Sequence, residues 1–230
     1  MKITIFGPLP PLRGGIPKHT NNLTQALRDH LEVSVLSPKK LYPNWLYPGK
    51  TQYEENEQSA ATTANAYRWG TLVGKAITSR SDLLLTVWWT AYLAPVSILL
   101  SAIFRLRRKP TVIFCHNVVP HDSGWLQRQI AKVALASYRF HVVQSETGSG
   151  RVLDLIGKLA DLFLPHPPRQ SRQVKPKSKR AVDENTSVLL SIGLIRPYKN
   201  IPMLARAFTS IAEPSLRLGI VGEYWEENLD

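Results

Sequence analysis

Cysteine is almost missing from this chain: Cys115 stands alone among 230 residues, so neither an internal disulfide nor a cysteine-built zinc site can form. Acidic residues are scarce too, 17 against 29 Lys and Arg, which leaves a formal charge of +12. That imbalance points to an anionic partner: nucleic acid, a phosphorylated ligand or acidic lipid. The N-terminus, MKITIFGPLPP, lacks a secretory pattern because its apolar run is short and broken by proline. A reducing cytoplasm is the expected compartment. Two nucleotide-binding signatures are also missing, G-x-G-x-x-G and G-x-x-x-x-G-K-[ST]. No acid closes the second expected strand, which runs into Ser37-Pro38. A nicotinamide enzyme and a P-loop NTPase are both disfavoured.

What is present alternates. Lys2–Phe6, Leu31–Leu36, Leu83–Trp88, Thr111–Cys115, Phe140–Gln144 and Leu162–Leu164 read as strands, with helices expected between most of them. The first helix opens at Gly15 or Ile16, with Pro17 at its start and Leu23, Ala26 and Leu27 as its inner face. Ser145 is expected to cap a helix reaching Ile156. Leu83 to Phe104 carries no charge and is long enough to span a bilayer. Pro95 at its centre favours a strand, a turn and a helix over about 95–108, carrying Leu99, Ile103 and Leu106 at helical spacing. The fold class is α/β: a parallel sheet in residues 1–166, a basic linker over 167–187, and a second Rossmann-like domain begun at 188–230. The linker's RQSRQVKPKSKR holds six cations and no acid.

Three places carry candidate chemistry. GPLPPLRGG joins the first strand to the first helix, where Gly14 and Gly15 let a backbone approach a phosphate or sugar. CHNVVPHD puts His116 at the end of a buried strand, where ligands of open α/β sheets bind. A structural histidine is the competing reading. His121 and Asp122 follow, but without metal-ligand spacing, so no metal is expected. SIGLIRPYKNI sets Arg196 and Lys199 on a strand-to-helix loop, a pair able to grip a diphosphate.

Together these segments resemble glycosyltransferase family 4, retaining enzymes of the two-domain GT-B fold. The resemblance rests on KITIFGPLPPLRGGIPKHTNNLTQAL, FCHNVVPHD, VVQSE, LPHPP and LLSIGLIRPYKNIPMLARAF with LGIVGE, in order along nearly the whole chain. It implies transfer of a sugar from a nucleotide-sugar donor to a glycan or lipid-linked acceptor, with no metal cofactor. Gly14 and Gly15 would lie near the donor phosphates, His116 against the transferred sugar, and Arg196 with Lys199 on the diphosphate. Leu194 stands where the family often has arginine, and Asn200 where glycine is usual. The family's E-x7-E motif is absent, since Glu223, Glu226 and Glu227 lack its spacing, so the donor domain is expected to be truncated. An anionic inner membrane face, contacted through RLRRK at 105–109, is a further expected partner; nucleic acid is not. The rival readings are a non-catalytic membrane-surface remnant or scaffold and, with less support, a nucleic-acid-binding protein.

Overall fold

A computed structural model describes residues 1–42, 52–53, 66–119, 124–166, 186–193, 195, 199–211 and 213–223. Those up to His166 form one compact unit and those from Thr186 onward another. In the first, β1 (Lys2–Phe6), α1 (Gly15–Arg28), β2 (Glu32–Pro38), β3 (Ala66–Tyr67), α2 (Trp69–Thr78), β4 (Leu83–Trp88), α3 (Ala94–Leu106), β5 (Thr111–Cys115), α4 (Trp125–Ala136), β6 (Phe140–Val143), α5 (Glu146–Ile156) and β7 (Leu162–Phe163) follow one another. The sheet order is β3-β2-β1-β4-β5-β6-β7, with every pairing parallel. This is the 3-2-1-4-5-6 order of doubly wound sheets, extended by one strand. The order reverses between β1 and β4.

The strands are apolar because both sheet faces are covered. Ile3, Ile5 and Phe6 of β1, Leu84 and Val87 of β4 and Ile113 and Phe114 of β5 are all buried. The run from Leu83 to Phe104 divides into β4, a short turn over Ala91–Leu93 and α3, with Pro95 in the helix's first turn. Among the described residues no helix is long and apolar enough to cross a membrane.

Two helices bury faces other than those expected. On α1 the buried residues are Pro17, His19, Thr20 and Thr24, while Ala26 is exposed and Leu23 and Leu27 are half-buried. Apolar spacing misleads here because each threonine hydroxyl donates to the carbonyl four residues back, Thr20 to Ile16 and Thr24 to Thr20, so both can be buried satisfied. Pro17 is the third helical residue rather than the first. On α3, Leu99 and Leu106 face outward, Leu106 being 86% exposed, and Ser97, Leu100, Ser101 and Phe104 face inward. Ser101 donates to the Ser137 carbonyl at 2.6 Å. Ser97 meets the buried Tyr138 hydroxyl at 2.9 Å, and that hydroxyl also reaches Thr86 Oγ1 at 2.8 Å. The hub ties α3, β4 and the end of α4 together.

Three of the four cations at 105–109 make contacts within the fold. Arg105 donates to the Ser137 carbonyl, Arg107 to the carbonyls of Ala76, Ile77 and Ser79 at the end of α2, and Lys109 pairs with Asp82 at 3.1 Å. The two arginines add donors to carbonyls at the ends of α4 and α2.

The second unit contains β8 (Ser187–Ile192), α6 (Ile201–Thr209) and β9 (Leu216–Val221), with β8 and β9 paired in parallel. β8 takes Ser187, the last residue assigned to the linker; 167–185 lie outside the described residues. Val188, Leu190 and Ile192 share one side of β8 and are exposed.

Replacing Tyr138 with Phe strands Ser97 and Thr86 without the shared hydroxyl. Urea unfolding is expected to show a loss of about 1–3 kcal/mol. An unchanged midpoint would show that the two hydroxyls find other partners.

Candidate functional site at the carboxyl edge of the sheet

Because the seven strands of the first unit run in parallel, the segments leaving them emerge along one edge. Gly7 follows β1 there. A Cβ at Gly7 would stand 3.0 Å from Val87 and 3.1 Å from Thr20, so a larger residue would press β4 and α1 apart by a few tenths of an ångström. Gly14 has φ 125°, in the region open essentially to glycine, and is the N-cap of α1 with no side-chain cap. Gly15 is different: it starts the helix, and nothing lies within 4 Å of where its Cβ would be. The fold therefore demands Gly14 and leaves Gly15 without a structural reason.

His116 follows β5. Its backbone N–H donates to the Trp88 carbonyl at 2.9 Å, and the Trp88 indole N–H donates to the Val118 carbonyl at 3.2 Å. Buried Trp88 thus fixes the chain on both sides of the histidine. The ring sits among others: His19 of α1 is 4.5 Å away edge-on, Phe114 5.5 Å, and His166, beyond β7, 6.2 Å. His19 and His166 are themselves 4.9 Å apart. Gln144, at the end of β6, hydrogen-bonds the His116 side chain.

Three buried polar atoms in this group have no hydrogen-bond partner: His116 Nε2, His19 Nδ1 and Gln144 Nε2. Buried polar atoms are ordinarily satisfied, so three orphans at a sheet's carboxyl edge mark a place where a ligand's hydroxyls can bind. Burial, and then the neighbouring His19 and His166, push the His116 pKa down to about 3. Burial, followed by His166, also lowers that of His19. At neutral pH His116 is therefore a neutral hydrogen-bonding ring and not a cation. Among the described residues no group of three or more His, Cys, Asp and Glu side chains is arranged to hold a metal.

In the second unit, β8 ends at Gly193, whose φ is 128°. Lys199 Nζ lies 3.1 Å from where a Gly193 Cβ would be, so the ammonium rests directly over the strand end. Asn200 takes the left-handed conformation at φ 49°, one that Asn tolerates better than most residues. That explains how it serves where glycine is usual. α6 begins there with no side-chain cap and no acid in its first turn. A lysine and an open helix N-terminus at one strand end suit a phosphate. Arg196, Leu194, His121 and Asp122 lie outside the described residues.

The sequence reading named His116, Gly14, Gly15 and Lys199 but not His19, His166 or Gln144. His19, Gln144 and His166 lie within segments that carried the resemblance, KITIFGPLPPLRGGIPKHTNNLTQAL, VVQSE and LPHPP, but without an assigned role; only the tertiary structure reveals their nearness to His116.

The chain has the GT-B fold seen in solved glycosyltransferases. The structure of HepE from Anabaena in complex with UDP matches with a TM-score of 0.59 at 15% identity, over 97% of this chain and 61% of that one. An alpha-glucosyltransferase in complex with UDP-glucose and DNA containing an abasic site matches with a TM-score of 0.55 at 12% identity, over 96% of this chain and 57% of that one. The chain thus spans about three fifths of their length. No family model and no curated protein matches the sequence.

The two glycines are expected to separate under substitution. Gly14→Ala forces a side chain into a left-handed backbone and lowers stability by about 1 kcal/mol or more, read by thermal unfolding. Gly15→Ala leaves the melting temperature unchanged, so any loss of ligand affinity it causes reports on a bound molecule against that backbone.

Acid sensitivity follows from His116. Its folded pKa is depressed, so the unfolded chain binds a proton that the native one refuses as pH falls from 6.5 toward 3. Stability is present above 6.5 and is lost progressively within that window. Melting temperatures across it are expected to fall less steeply for His116→Gln than for the native chain.

Proposed function

We propose that this chain belongs to a retaining glycosyltransferase that moves a sugar from a nucleotide-sugar donor to a glycan or lipid-linked acceptor. The observation that carries this is the neutral His116, with its unclaimed Nε2, at the carboxyl end of β5. With the other ring nitrogen donating to the Gln144 amide oxygen, the open Nε2 of the neutral ring accepts from a hydroxyl of the transferred sugar without adding charge at the anomeric carbon. Gln144 and His19 extend the same hydroxyl-binding surface. The anomeric carbon–phosphate oxygen bond breaks, its electron pair leaves with the diphosphate, and the acceptor hydroxyl oxygen bonds on the same face as its proton passes to the departing phosphate oxygen. Lys199, with Arg196, meets the departing charge, so the reading assigns that work to cations rather than to a metal. The fold shared with UDP-bound transferases supports it.

The test is turnover of radiolabelled nucleotide sugars by the enzyme containing this chain, with calorimetric titration of UDP. His116→Ala is expected to lower turnover by about 2–4 kcal/mol of barrier with its folding intact. Chelation by EDTA should leave turnover unchanged. Normal turnover in the alanine variant would return His116 to a structural role.

Residence at the cytoplasmic face of an anionic membrane is part of the same proposal. RLRRK, whose three arginines stay exposed, is one surface for it, and α4 is a second. Trp125 is 73% exposed and Leu126 63%, and Arg128 and Lys132 share the outer face with Trp125. An amphipathic Trp at a basic helix face suits a headgroup layer. Salt-sensitive sedimentation with anionic vesicles is expected, weakened in a Trp125→Ser, Arg128→Gln variant. Equal binding to neutral vesicles, indifferent to salt, would count against it.

A further inference from the structure

A cavity of about 440 Å³ opens on the same sheet edge, on the other side of the β1–β4 reversal from the histidines. Pro38, Lys39, Lys40, Arg68, Trp69 and Tyr92 line it. Its first wall is the chain leaving β2. That wall is fixed: the buried Gln52 amide accepts from the N–H groups of Leu41 and Tyr42 and donates to the Tyr42 carbonyl, and the Tyr53 hydroxyl donates to the Lys39 carbonyl. Its second wall is the start of α2. Arg68 is the N-cap there, with no side-chain cap and no acid in the first turn, so open backbone N–H groups add to its charge. Tyr92, in the turn after β4, supplies the third. Trp69 and Tyr92 stand 5.2 Å apart at 48°, and Tyr42 flanks Tyr92 at 6.5 Å.

Three cations and a helix N-terminus call for a multiply charged anion. The aromatic corner calls for something more than the anion. Tilted rings do not form a parallel slot for a nucleobase, but each offers a face to the C–H groups of a pyranose. A sugar ring with a phosphoryl group meets both demands, and the volume is ample for it.

We propose that this cavity binds a sugar phosphate, free or borne on a lipid, as the acceptor; this rests on the transferase reading above. β2 and β5 are three strand positions apart, roughly 14 Å in the sheet. An acceptor anchored by its phosphoryl group at Lys39, Lys40 and Arg68 would then extend a hydroxyl toward the reversal point, where the donor sugar meets His116.

Binding of glucose 1-phosphate to the full chain, measured by calorimetry, tests this. Glucose 1-phosphate is expected to bind at least about tenfold more tightly than glucose or inorganic phosphate alone. Trp69→Ala and Arg68→Gln should each weaken it by about tenfold, with Arg28→Gln in the last turn of α1 as an unaffected control. Trp69 is 36% exposed, and Arg68→Gln tests the same site without removing an aromatic ring. Neutral vesicles with and without a prenyl phosphoryl-glucose separate the sources. Retention only on the sugar lipid marks a lipid-borne acceptor, and binding of the soluble compound alone marks a free one. Binding no tighter than that of inorganic phosphate overturns the proposal, as does an oligonucleotide that displaces glucose 1-phosphate in a Trp69-dependent way. A separate UDP titration keeps the two readings apart. Loss of UDP binding with sugar phosphate retained sinks the donor reading, and the reverse sinks the cavity.

Discussion

Strand polarity governs this molecule. Seven strands paired in parallel place every carboxyl end on one edge, and each connection must return across a sheet face as a helix or a long loop. The backbone hydrogen bonds of those strands are satisfied within the sheet, so the core can be almost wholly apolar. The segments leaving the strand ends have no such ladder. Their polar groups either find side chains, as the 41–42 segment finds Gln52, or remain for a ligand, as around His116. Site and scaffold are thus two consequences of one arrangement.

The fold holds two kinds of buried polar group. The buried Tyr138, Ser97 and Thr86 hydroxyls are mutually satisfied and bind three elements together. His19 is buried and His116 and Gln144 are half-buried, yet all three keep unpartnered buried atoms. Enclosure without partners is costly unless function recovers it. The same enclosure keeps His116 neutral, which suits it to hydrogen bonding rather than to proton donation at neutral pH. Cys115, one residue earlier, is buried with its thiol pushed up to about 12, and so is inert packing.

The large positive charge has no single purpose. Arg105 and Arg107 add donors to carbonyls at helix ends, and Lys109 joins an aspartate. Lys39, Lys40 and Arg68 gather around a cavity, and Lys199 caps a strand end in the second unit. A net charge alone cannot tell these uses apart, because spacing along the chain does not report which carbonyls lie nearby.

Local pattern determined the elements. Apolar runs bounded by Gly and Pro placed β1, β4, β5 and β8, and Ser145 capped α5 through the Gly148 N–H, because these depend on neighbours a few residues away. The strand-end positions of Gly14, His116 and Lys199 were legible for the same reason. Which face of a helix is buried was decided by tertiary structure: Thr20 and Thr24 of α1 are buried, their hydroxyls satisfied by carbonyls one turn back, while Leu23 and Leu27 are only half-buried. So were the gathering of His19, His116, His166 and Gln144 from four separate segments, and the cavity between Lys39 and Tyr92. Each depends on the order in which the strands pair, which no short stretch of sequence contains.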